Sequence, residues 1–516
     1  MNFFFKNYNK LIYTVVLGIV LFSSYLGYKH SVFNQDFHHL SFILSGFIDF
    51  NNGFTLFKEI FLQYGPGQVL FFKLIDNFVN INLFSISFIT SIIYSANLLL
   101  LFIIFRKIVS LEISFLLIIL IFLIHPYNIH PWPDYLSGIC LSLFFLFLLK
   151  KDSKYNFVIC ACFLFLAIFF RSTYLLNIIF SIIVYNLLFV FYQKENNLKN
   201  LFKIFFLILT IFLIFLIYLG SILDWFNQSI LFITAYAEET KHLQLYDKIT
   251  NYVGKYGFII LKIFYYALNS TSKLFNVFNP ENILFVFFII INFIYLFKVI
   301  RNKLNLNHYE KKIVFLSILG LSGFIQSLML MEVFRNINAT IGIFLAGLFF
   351  LNSNRIFNLK KYSNKFLILC VIYGLVLFIQ FPKNKYNNNN FTSFENTYFK
   401  NKKISPEVKK YYSNLRKFIC NKDDLILTNI SWDYMIPHIC EGKNLKNRYS
   451  IDVRFLKKIN INEYNRIFID SELKSRELLF TNQIINNPEI KLIKIFSSPL
   501  KPKEWYRDIR VYKLSK

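Results

Sequence analysis

The amino-acid sequence predicts an all-α polytopic membrane domain of about eleven transmembrane helices, with a small water-soluble α/β domain at its C-terminal end. Three observations predict it. Of 516 residues, 56% are hydrophobic, 20% aromatic and only 16% charged, whereas soluble domains are nearer a quarter charged. The apolar residues come in runs of about twenty, the length of helix that crosses about 30 Å of hydrocarbon. Beyond about residue 382 those runs give way to mixed, charge-rich sequence.

The spans follow in order. Lys6 and Lys10 precede a first apolar run at 11–28; no small-residue cleavage site follows it, so it reads as an uncleaved helix. Residues 29–82 alternate polar and apolar stretches and read as an outer loop holding helices that lie in the interface. Spans follow at 83–105, 111–125, 135–149, 155–170, 173–192 and 202–223. The connectors carrying Arg106 and Lys107, Lys150, Lys151 and Lys154, and Lys194 and Lys199 alternate as cytoplasmic loops should. Residues 257–268 are apolar but short, and a crossing there would put Lys298, Arg301, Lys303, Lys311 and Lys312 outside. We therefore read 224–282 as one long outer loop. Spans at 283–300, 313–331, 337–352 and 364–381 complete the set, so the transmembrane domain is 1–382 and the extracytoplasmic domain 383–516. The N-terminus is then cytoplasmic.

In the tail, Glu407 to Cys420 suits an amphipathic helix, and Leu425–Leu427 and Ile467–Ile469 suit buried strands. Ser471 is placed to cap a helix to Ile485, and strands near 491–496 and 508–514 follow. Asn387–Asn390 reads as a low-complexity linker.

The formal net charge is +27. Many of the basic residues sit between apolar runs, which is the positive-inside pattern; nucleic-acid binding is disfavoured on that ground. Cys140, Cys160, Cys162 and Cys370 fall in or beside spans as small apolar fillers. Cys420 and Cys440 lie in the tail, where an oxidising compartment permits a disulfide between them. No phosphate-cradling Gly-rich lysine loop, zinc spacing or serine nucleophile elbow occurs. No cofactor is required by these residues, and a divalent metal is admitted without a recognisable ligand set.

Chemistry concentrates in the first outer loop. Asp36 follows the first span at the bilayer edge, where a lipid-linked headgroup would arrive and where a carboxylate can take the proton of an attacking hydroxyl. The competing reading is that Asp36 caps an interfacial helix. His38 and His39 are placed to bind a phosphate or assist proton transfer, but adjacent histidines on a helix diverge, which argues against a shared metal. Tyr64 opens the turn Tyr64-Gly65-Pro66-Gly67. Arg171 and Arg335 lie at outer membrane edges against the positive-inside trend; a charge there is costly and tends to be paired or functional. Asp134, in the aromatic turn from His125 to Tyr135, reads either as a second acid near Asp36 or, better, as a helix cap. Glu238, Glu239 and His242 in the long loop read as solvated surface.

The acidic residue after the first span and the run Gly53-Phe54-Thr55-Leu56-Phe57-Lys58-Glu59-Ile60 followed by Gln63-Tyr64-Gly65-Pro66 resemble the GT-C superfamily of membrane glycosyltransferases. Within it, Asp36-Phe37-His38-His39 and the Gln-Tyr-Gly-Pro turn look like bacterial enzymes that build surface glycans. The resemblance covers residues only over about 34–67, though the architecture matches more widely. It implies a bacterial inner-membrane enzyme that moves a sugar from a polyprenyl-phosphate carrier to a lipid-linked glycan or other acceptor at the periplasmic face, with inversion. It also implies Asp36 as catalytic base, Arg335, Arg171, His38 and His39 at the donor phosphate, and Asp134 and Tyr64 at the substrate. The paired acidic motif common in the superfamily is absent, since Phe37 follows Asp36. The partners implied are the lipid bilayer, the polyprenyl-phosphate sugar and the acceptor. The alternative is a transporter or flippase, which should carry ionisable residues mid-span and inverted repeats. A membrane-anchored glycan-binding protein is a third reading.

Overall fold

The computed structural model describes residues 2–62, 64–192, 198–231, 280–301, 306–327, 333–353, 369, 372–379, 390–420, 426–429, 433–440, 448–449, 465–470, 487–499 and 508–514. Half of the expected crossing at 364–381 lies outside them, as do the tail helix from Ser471 to Ile485, most of the long outer loop with Glu238, Glu239 and His242, and the proposed linker apart from Asn390.

Before the tail, the described chain is mainly helical. It begins with α1 (Asn2–Phe33), α2 (Phe37–Asn51), α3 (Gly67–Asp76) and α4 (Leu83–Phe105). Then come α5 (Leu111–Ile124), α6 (Pro133–Leu148), α7 (Lys154–Phe170), α8 (Tyr174–Tyr192), α9 (Lys199–Tyr218) and the short α10 (Ile222–Trp225). A π-helical turn at Phe226–Leu231 precedes α11 (Pro280–Arg301), α12 (His308–Ser327) and α13 (Val333–Asn352). Local sequence sets several starts. Asn82 and Ser85 form a reciprocal capping box at α4, and Ser110 and Ser153 cap α5 and α7.

Among the described residues, Tyr8–Phe33, Leu83–Phe105 and Lys199–Tyr218 are long and apolar enough to cross a membrane by length and composition. Several runs expected to cross are apolar but shorter: α5, α6 and α7 have 14, 16 and 17 residues. At a rise of 1.5 Å per residue these are about 21–26 Å long.

Small residues let α12 and α13 approach closely. A Cβ on Gly320 would strike the backbone of Gly342 and Ile343, and one on Gly323 would strike Ala339. This is how helices associate where lipid supplies little hydrophobic drive. Asn292 of α11 donates to the carbonyl of Ile343 at 2.9 Å and accepts from Ser317 at 2.5 Å, so a polar side chain links all three helices.

In the tail, β1 (Thr392–Ser393) pairs antiparallel with β2 (Lys403–Ile404). Helix α14 (Pro406–Ile419) starts where Ser405 accepts from the Val408 amide and Pro406 occupies the first turn. Its buried face is Val408, Tyr411, Tyr412, Leu415 and Ile419, a helical period. A five-stranded sheet has the order β4 (Arg448–Tyr449), β3 (Ile426–Asn429), β5 (Arg466–Asp470), β7 (Ile509–Leu514), β6 (Ile490–Phe496). β3 runs parallel to β4 and β5, and β7 antiparallel to β5 and β6. Cys420 and Cys440 are joined by a disulfide, with Cα atoms 5.4 Å apart.

The tail shares a hydrophobic core with α2. Phe37, Leu40, Ile43, Leu44 and Phe47 are buried in one cluster with Phe399, Val408, Tyr412, Met435 and Ile436. Polar contacts fix the docking. Ser41 Oγ accepts from the Tyr434 amide at 2.9 Å, and Ser45 Oγ lies 3.0 Å from His438 Nε2. Helix α2 is therefore buried from the tail side, and its N-terminus, which carries Asp36, is held from two directions.

Candidate active site

Asp36 sits in the three-residue break between α1 and α2 and is the N-cap of α2. One carboxylate oxygen accepts from the His39 amide at 3.3 Å. The other accepts from His39 Nδ1 at 2.6 Å. The capping reading of Asp36 and a functional one are thus compatible, because the two oxygens are used differently. Asn34 Oδ1 accepts from the Asp36 amide at 2.9 Å and closes the turn.

A third member comes from the connector between α5 and α6. His130 Nδ1 lies 3.2 Å from the same Asp36 oxygen. Its ring stacks on that of His39, with centroids 4.1 Å apart and planes at 25°. About a fifth of each of these three side chains is exposed (21–22%), so the cluster is reachable. Burial pushes the Asp36 carboxyl up, but the His39 hydrogen bond and the surrounding imidazoles outweigh it and hold the group well below the usual carboxylate range. Burial, with His39 alongside, pushes the His130 imidazole down to about 3. At neutral pH the site therefore holds an ionised carboxylate beside a neutral imidazole.

His38 goes elsewhere. Its ring lies 4.6 Å from that of His39 but also 5.8 Å from Tyr434, on the tail side. The divergence of adjacent histidines is as helix geometry demands. The ligand set that the sequence reading did not assemble is Asp36, His39 and His130, whose ligand atoms all lie within 4.8 Å of one another. Two imidazole nitrogens and one carboxylate oxygen suit a divalent cation of the zinc or manganese kind. His130 Nδ1, buried and without a hydrogen bond, is the atom such an ion would satisfy. The signal was present in the sequence: the turn from His125 to Tyr135 also holds Tyr127, Asn128, His130, Trp132 and Asp134.

An aromatic wall continues from this cluster to a buried ion pair. The Trp132 ring meets the His39 ring at 4.6 Å and the Tyr64 ring at 4.7 Å. The Arg171 guanidinium lies over the Tyr64 ring at 5.4 Å. Arg171 Nη1 donates to the Asp134 carboxylate, and Arg171 Nε to Thr173 Oγ1 at 3.2 Å. Both charges are buried, with side chains 6% and 1% exposed. Asp134 lies in the first turn of α6, but it is not the cap: Trp132 occupies the cap position, without a side-chain hydrogen bond. Its carboxylate is turned to Arg171. Tyr64 is held through its backbone, whose carbonyl accepts from the Ser172 amide at 2.5 Å. Gly65, at φ +144°, sits against the carbonyls of Phe169 and Phe170, where a side chain would not fit.

Arg335 lies in the first turn of α13, and its side chain falls outside the described residues. Asp36, His39, Trp132, Tyr64, Arg171 and Asp134 thus form one continuous chain of contacts.

No family model matches this chain, and no curated protein matches it. Among solved structures it is similar to the crystal structure of ArnT from Cupriavidus metallidurans bound to undecaprenyl phosphate. The identity is 9% and the TM-score 0.40, over 96% of this chain and 97% of that one. At that level the likeness bears on neither chemistry nor substrate.

Proposed function

We propose that the chain is a GT-C-like integral membrane glycosyltransferase of a bacterial inner membrane, moving a sugar from a polyprenyl-phosphate carrier to a lipid-linked glycan or other acceptor on the periplasmic side. The observation that carries the reading is a partly exposed carboxylate, Asp36, aimed by His39 in the break after the first helix. An acceptor hydroxyl needs such a base as its oxygen attacks the anomeric carbon.

The proton passes from the acceptor hydroxyl to Asp36. The new carbon–oxygen bond forms on the face opposite the leaving group, so the anomeric centre inverts. The bond to the carrier oxygen breaks, and the polyprenyl phosphate leaves with the electron pair. The His39 N–H keeps the carboxylate aimed. A divalent cation, if bound, would be held by Asp36, His39 and His130 at the expense of the His39–Asp36 hydrogen bond, and would supply charge stabilisation to the phosphate. Arg335, at the N-terminal end of α13, is proposed to meet the donor phosphate, where the helix dipole adds to its charge. Arg171, held by Asp134, acts in this reading by bracing the wall from Tyr64 to His39. The shared core of α2 and the tail keeps both on one face, and the positive-inside pattern supports reading that face as the outer one.

The test is sugar transfer by purified protein in nanodiscs with a panel of polyprenyl-phosphate sugars, comparing wild type with Asp36→Asn. Loss of about a hundredfold or more is expected for removal of a general base. Equal transfer by both proteins would remove Asp36 from the base role; flux of a lipid-linked glycan without transfer would favour the transporter reading.

A further inference from the structure

The tail does more than cover α2. Its residues 391–405 wrap the break that carries Asp36. Phe391 meets Phe33 edge to face with centroids 5.7 Å apart, and Phe399 meets Phe37 at 5.9 Å. The Ser405 amide reaches Gln35 Oε1 at 3.4 Å. Between these contacts the chain makes a tight turn with Asn401 at φ +64°, and this turn drives Lys402 inward. Lys402 is 1% exposed. Its ammonium donates to the Ser31 carbonyl at 2.9 Å, one of the carbonyls that the last turn of α1 leaves without a helical partner.

We propose that Lys402 is a positioning residue of the Asp36 site, contributed by the C-terminal domain, whose ammonium, anchored on the last turn of α1, holds the Asp36–His39 pair in its working arrangement. Among the described residues no carboxylate lies within ion-pair distance of this ammonium. A buried charge of that kind is costly unless its surroundings carry compensating negative charge. Two sources face it: the partial negative charge at the C-terminal end of α1 and the Asp36 carboxylate, which acts on it through space. The other titratable group it acts on is His30, whose Nε2 lies 2.5 Å from the Ile129 carbonyl, one residue from His130. Burial pushes the Lys402 ammonium down to about 7, while Asp36 acts to raise it. A neutral donor would satisfy Ser31 equally well; what the lysine adds is charge near the Asp36 carboxylate.

The kinetic part of the test rests on the reading of Asp36 as base; a spectroscopic part does not. Lys402→Gln keeps a donor for Ser31 and removes the charge, and Lys402→Arg keeps the charge. The His39 Nδ1 signal, recorded on ¹⁵N-histidine protein in nanodiscs and assigned with His39→Gln, reports the hydrogen bond to Asp36 whether or not transfer occurs. We expect Lys402→Gln to shift that signal and to lower kcat at least tenfold with the donor KM within threefold, while Lys402→Arg stays within threefold of wild type and keeps the signal. A wild-type protein that transfers no sugar, but whose His39 signal moves in Lys402→Gln alone, would fault the enzyme reading and leave the positioning role standing. A glutamine variant matching wild type in both readouts, an arginine variant as impaired as the glutamine one, or a glutamine variant that fails to fold would each overturn the proposal, the last by making Lys402 a structural cap.

Discussion

Breaking the Asp134–Arg171 pair is the sharpest perturbation of the wall behind the site. Both side chains are almost fully buried, so removing one partner leaves a charge with neither water nor a counter-ion, at about 3–5 kcal/mol. The two single variants should not cost the same. In Arg171→Met the remaining Asp134 sits in the first turn of α6, where the helix dipole returns about 0.5–1 kcal/mol, so the loss falls near the lower end. In Asp134→Leu the remaining guanidinium keeps, among the described residues, only Thr173 and the Tyr64 ring. Such a cation–π contact is worth about 1 kcal/mol, and the loss falls near the upper end. The double variant removes both charges and should cost about 1–2 kcal/mol, since an apolar pair of similar volume replaces a buried ion pair at little penalty. The coupling energy is then several kcal/mol, far outside the roughly 0.5 kcal/mol scatter of independent sites. Reversible unfolding of the four proteins in mixed micelles measures it. Single variants that each cost under about 1 kcal/mol, or a double variant equal to their sum, would refute the pair as a structural unit and return Arg171 to direct phosphate contact.

Other expectations follow from the same physics. Asp433 is buried, accepts from Tyr411 and the Met435 amide, and burial pushes its carboxyl up to about 6. Because the folded state holds this proton more tightly than the unfolded state, its stabilising contribution is complete below about pH 4 and is lost as pH rises through about 6. The loss is about 3 kcal/mol. Asp433→Asn should therefore resist proteolytic release of the tail better than wild type at pH 7 and no better at pH 4; an unchanged difference across that range would count against the assignment. Gly320→Ala puts a methyl into the backbone of α13, and should cost about 1–3 kcal/mol as overpacking; a melting temperature equal to wild type would mean the two helices are farther apart than described. If Asp36, His39 and His130 hold a divalent cation, calorimetry with zinc or manganese should give one site per chain that is lost in His130→Ala. Binding retained in that variant would place the ion elsewhere.

The legibility of this protein in its sequence divides along physical lines. The apolar runs, the caps at Asn82, Ser110 and Ser153, and the period of Val408, Tyr411, Tyr412 and Leu415 are local. A helix or strand reports its own buried face through residues a few positions apart, so elements and their order could be read directly. Asp36 was readable too, because its place after the first span follows from chain order alone. What joined it was not readable. His130 comes from the connector after α5, four helices on from Asp36, and Lys402 from a domain at the far end of the chain. Arg171 had to be paired or functional at its place by the membrane edge, but its partner, Asp134, was set only when α6 and α7 came together. Periodicity records that a residue is buried and is silent on what it is buried against. That choice belongs to the packing of whole helices, and here it turned separate polar residues into one site.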